Sequence, residues 1–200
     1  PAGCQPRYVV VSQRPAGPAI ANARFHFGKR FVQVARVGFI GQQVERVAHV
    51  QALAAWSAGD IRRMNAIWDT ILIDHPHDIL ALRIAHTMHF FLGDLAQMRD
   101  SMARVMPRWD ESVPGYGYVL GCRAFSLEEN NDLGPAETMG KRAVEINEND
   151  VWAGHCVAHV LEAQGRRREG IEWIDGHEDA WRKRGVFAQH MWWNRALHYL

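Results

Sequence analysis

Residues 151–173 read VWAGHCVAHVLEAQGRRREGIEW, two apolar-periodic stretches hinged at Gly165-Arg166. On either side of the hinge the apolar residues recur at three and four, the spacing that gives a helix one buried stripe. A glycine at the junction tolerates the left-handed conformation that ends a helix. The same punctuation stands at Gly59-Asp60, Gly93-Asp94 and Asn131-Asp132, where Asp is placed to cap the helix that follows. The intervals between the four turns are 34, 38 and 34 residues. A period near 34 with one tight turn per period is the signature of a helix–turn–helix repeat array.

From Gln43 onward no stretch alternates at period two for long, so the chain reads as all-α. The expected helix pairs are 44–58 with 60–74, 78–92 with 94–106, 115–130 with 133–147, and 151–164 with 166–175. A further helix spans 185–200. Pro76 cannot continue a helix and closes the one over 60–74. Ala124, Ala136, Ala143, Ala158 and Gly170 supply small side chains where paired helices must approach closely. A single pair cannot bury its apolar face, so stacking neighbours complete the core of an α-solenoid over residues 44–200, about four helix pairs plus one helix.

Composition narrows the function classes. At 48% hydrophobic and 22% charged, the chain can bury a core, and no stretch approaches the length of a membrane span. Cys4, Cys122 and Cys156 form no CxxC pair and suit a reducing, cytoplasmic setting. The net charge of +1 hides an asymmetry: residues 1–44 carry six basic and no acidic groups, the remainder 17 basic and 22 acidic. Such a segment can be a targeting peptide or a nucleic-acid arm, but Pro15, Gly17 and Pro18 interrupt it, so residues 1–43 are expected to be an atypical, poorly ordered basic leader on which no function is built. The chain stops at Leu200 inside an apolar-aromatic helical pattern, which leads us to expect a fragment.

Four blocks, LRIAHTMHFFLGD (82–94), PGYGYVLG (114–121), residues 151–173 and HMWWNRALHYL (190–200), resemble the tetratricopeptide repeat protein 38 family and its bacterial relatives. The resemblance covers about 45–200 and implies a degenerate array of tetratricopeptide-like repeats. It brings no established activity. Members of that family are longer, and a histidine is expected where this chain has Asn194.

His155, His159 and Glu162 stand at i, i+4 and i+7 on one helix face, ten, six and three residues before Gly165. In tetratricopeptide repeats those offsets face the concave groove, so the resemblance places Trp56, Phe90, Phe125, His155, His159 and Glu162 on its lining. Histidines at i, i+4 can also share a metal ion, although no glutamate adjoins the first as in HExxH. His190, Asn194 and His198 form a second polar stripe that could converge on the first. Asn194 is a poor transition-metal ligand, and this stripe also reads as an aromatic cap with local partners. His86 and His89 are expected to be buried and bonded to backbone or water, and His75 and His77 to face solvent. GYGYVLG lacks the strand a nucleotide fingerprint needs, Cys156 points away from His155, and Arg166–Arg168 are too few for a nucleic-acid stripe.

The sequence therefore predicts a protein- or peptide-binding helical scaffold that needs no cofactor, does not bind nucleic acid or membrane, and recognises its ligand in a concave groove. The alternative is a metal-dependent or hydrolase-type enzyme using the His-rich end. The sequence leaves the ligand, the metal and the oligomeric state open.

Overall fold

The computed structural model describes residues 43–200, with side chains from Val47 onward. The expected leader, 1–43, lies outside the described residues except for its last position, which already begins the first helix. In chain order the helices are α1 (Gln43–Ser57), α2 (Ile61–Asp74), α3 (Ile79–Leu92), α4 (Leu95–Val105), α5 (Tyr116–Glu128), α6 (Leu133–Ile146), α7 (Val151–Ala163), α8 (Arg167–Gly176), α9 (Glu178–Trp181) and α10 (Val186–Leu197). There is no strand among the described residues, and no helix of theirs is long and apolar enough to cross a membrane. The expected pairs are present within a residue or two. The single-turn α9 was not expected; its Trp181 is buried and donates its indole N–H to the Ile174 carbonyl at 3.1 Å.

The turns show why the period works. Gly59, Asn131 and Gly165 all have positive φ between +62° and +81°, and Gly93 has +72°. The capping expectation holds for Asp60, whose carboxylate accepts from Arg63 N, and fails for Asp94 and Asp132. Asp94 turns instead to Arg62 at 2.8 Å, because a guanidinium one repeat back competes with the helix amides. Asp78 and Asp150 cap α3 and α7, the latter accepting from Trp152 N and Ala153 N at 3.1 Å each.

Small residues set the helix spacing. Ala124, Ala136, Ala143 and Ala158 are fully buried. At Gly140 an added Cβ would meet Val157 Cγ2 at 2.7 Å, so α6 and α7 cross with no room for a methyl group. The core runs continuously from Ala52 and Trp68 through Leu82 and Val119, and a satellite cluster of Ala158, Ile174, Trp181, Ala188 and Met191 closes the C-terminal end.

Buried polar groups join the repeats. His86 is buried and its Nε2 lies 2.9 Å from the Cys122 carbonyl, tying α3 to α5 as expected. Burial and the nearby Arg83 charge depress its pKa to about 3, so the ring is neutral. His89 is also buried, but its partner is a carboxylate, Asp69 Oδ2 at 2.9 Å. Ser101 donates to the other oxygen of Asp69 at 2.5 Å. Burial would raise the Asp69 pKa; the hydrogen bonds from His89 and Ser101 outweigh it and hold the carboxyl below its usual range. His77 is exposed, as expected, yet it also reaches the Arg108 carbonyl and stands edge-on to Trp109.

Candidate functional site

The first helices pack in succession, α3 on α5, α5 on α7 and α7 on α10; among the second helices α2 packs on α4 to the same extent as α3 on α5, and the later ones pack on one another less. α3, α5, α7 and α10 thus build one face of the array.

An aromatic file crosses this face. Phe90 of α3 meets Phe125 of α5 at 5.2 Å between centroids, and Phe125 meets Trp152 at 4.6 Å and stacks on His155 at 5.7 Å, both on α7. His155 then meets Phe187 of α10 at 5.4 Å. The Arg83 guanidinium sits 4.8 Å from the Trp152 ring centroid, a cation–π contact beside the middle of the file.

Three imidazoles converge where the file ends. His155 and His159 are 4.1 Å apart between centroids, His155 and His190 4.9 Å, and His159 and His190 5.8 Å. One donor atom from each ring lies within 4.8 Å of those of the other two. Glu128, the last residue of α5, and Glu129, which follows it, bring donor oxygens within the same distance of one another and of His159. Glu128 Oε1 stands 3.5 Å from His159 Nδ1. Burial, and secondarily the other two imidazoles, push the His155 pKa well below the usual histidine value. Burial also lowers that of His190, with His159 adding to the effect. Burial raises the Glu129 carboxyl to about 7, with the neighbouring Glu128 adding to the shift and His159 opposing it.

The expected site residues separate into four groups. Phe90 is half-buried, His159 is half-buried and His190 exposed, so these three present surface on this face. Phe125 and His155, 1% and 3% exposed, form its floor rather than its accessible lining. Trp56 is half-buried against the core of the first two repeats. The remaining three correct the expectation. Glu162 is exposed and is not among the converging donors; seven residues carry it about 10 Å along the helix axis from His155. Asn194 is 4% exposed, and His198, 2% exposed, lies against Gly170 of α8. The second polar stripe thus contributes His190 alone, and its other two members are packing groups. Cys156 is buried, and burial raises its thiol pKa well above the ordinary value, so it is no nucleophile.

Glu128 and Glu129 escaped the sequence reading, as did Arg83 and Phe187. A signal for Glu128 existed: it stands three residues before Asn131, as Glu162 stands three before Gly165. The offset rule applied to every turn finds it. Phe187 belongs to a helix whose turn offered no such reference point.

No protein-family model matches this sequence. Solved structures share the fold. YrrB, a TPR protein with an unusual peptide-binding site, is similar with a TM-score of 0.53 at 18% identity, covering 76% of this chain and 74% of that one. A tetratricopeptide repeat protein from Parabacteroides merdae ATCC 43184 is similar with a TM-score of 0.62 at 14% identity, covering 90% of this chain and 68% of that one. The fold is an all-α solenoid of tetratricopeptide-like helix–turn–helix repeats.

Proposed function

We propose that this chain is a recognition scaffold that takes up a peptide or an extended segment of another protein on this face. The observation that carries the reading is the file of rings across four successive first helices, with Phe90 and His159 partly open and Phe125 and His155 as a buried floor. A rigid floor keeps the open rings in place, and partly buried aromatic groups supply binding energy with little entropy to lose. The Arg83 cation, near the start of α3, and the Glu128–Glu129 pair, at the end of α5, stand toward opposite ends of these helices, which would orient a ligand carrying unlike charges. The peptide-binding site described for YrrB supports the same use of the fold.

A displayed library of random peptides, selected against the purified full chain and measured by fluorescence polarisation, tests the reading. Selected peptides should lose about tenfold or more in affinity to Phe90→Ala and to His159→Ala, and little to Glu162→Ala. Peptides that bind all three variants equally, or no selectable binder, would count against this face.

A further inference from the structure

Three imidazoles from two helices, two of them four residues apart on α7 and the third on α10, meet around one point, with a carboxylate at the back of one ring. We propose that His155, His159 and His190 bind a divalent transition-metal ion of the zinc class, with Glu128 positioning His159. The assignment stands on its own and does not depend on peptide recognition.

Donor type comes first. Imidazole nitrogen suits zinc, copper, nickel and ferrous iron, and three histidines with an open fourth position is a recurrent zinc arrangement. The site combines a fixed ligand with adjustable ones. His155 is buried between Phe125 and Phe187, and its Nδ1 has no hydrogen-bond partner. A buried ring nitrogen without a partner carries a desolvation cost that a hydrogen bond or a metal bond removes. His159 and His190 are partly open, so their rings can turn toward an arriving ion.

The distances are close to what is needed. Tetrahedral ligands at zinc–nitrogen distances of 2.0–2.1 Å lie about 3.4 Å apart. The three donor atoms already fall within 4.8 Å of one another, so rotation of the two open rings closes the site without moving a helix. Glu128 Oε1, 3.5 Å from His159 Nδ1, is placed to fix that ring's tautomer and leave Nε2 for the ion.

Zinc chloride titrated calorimetrically into the metal-stripped full chain provides the test. The expected result is one saturable site per chain, lost at least tenfold by both His190→Ala and His159→Ala. Glu128→Gln should weaken it by about 10–100-fold, as loss of an orienting carboxylate does. Glu162→Gln and His77→Ala, which stand outside the cluster, should bind as the parent does. Cobalt in place of zinc should give the intense visible bands of a low-coordinate, nitrogen-ligated ion on the unmodified chain, a readout that needs no variant to fold. No saturable binding, no such bands, or binding that persists in both histidine variants would overturn the proposal.

Discussion

The imidazole of His198 rests on Gly170: a Cβ built at residue 170 would fall 2.0 Å from His198 Cε1 and 2.4 Å from both ring nitrogens. α8 and the end of α10 are thereby locked at a distance that only glycine permits. Gly170→Ala should destabilise the fold by about 1–3 kcal/mol through over-packing, although alanine is the better helix former by up to about 1 kcal/mol. In a His198→Ala background the same change should be neutral or stabilising. A double-mutant cycle read by urea denaturation measures the coupling, and additive effects would mean that the two residues do not touch.

Ala158 is fully buried among Ile174, Trp181 and Met191, whereas Ala163 is exposed at the end of the same helix. Ala158→Leu is expected to cost about 1–3 kcal/mol, and Ala163→Leu less than about 0.5 kcal/mol. Chemical denaturation of the pair checks this, and equal losses would contradict the packing register of α7.

The buried His86 has a pH consequence. Its folded-state pKa, about 3, lies below the unfolded value of 6.5, so the unfolded chain binds the extra proton. Its contribution is therefore full above about pH 6.5 and falls away as the pH drops toward 3. Between about pH 7.5 and about pH 4.5 it should remove roughly 2–3 kcal/mol of stability. His86→Gln keeps a donor for the Cys122 carbonyl but cannot titrate. Unfolding midpoints of the variant should fall less steeply with acid than those of the parent; parallel curves would exclude His86 as the source.

The Asp69 carboxylate joins α2 to α3 through His89 and to α4 through Ser101. Asp69→Ala should destabilise the array by about 1–3 kcal/mol, because it leaves buried partners without an acceptor. Thermal unfolding at neutral pH measures the loss, and a change below about 0.5 kcal/mol would show that water replaces the carboxylate.

Much of this protein was legible as a one-dimensional pattern. The recurrence of Gly59, Gly93, Asn131 and Gly165 determined where helices end, because a positive φ is a local property of one residue. The i, i+4 spacing of His155 and His159 determined that their rings meet, because helix geometry is also local. What surrounds those rings was decided only in three dimensions. His190 joins them and Asn194 and His198 do not, although all three lie on one stripe of α10, because that helix touches α7 along part of its length and α8 along another. Glu128, rather than Glu162 on the histidines' own helix, supplies the carboxylate, because axial level between neighbouring helices is set by how the repeats stack. Periodicity specifies a face; only packing specifies what stands opposite it.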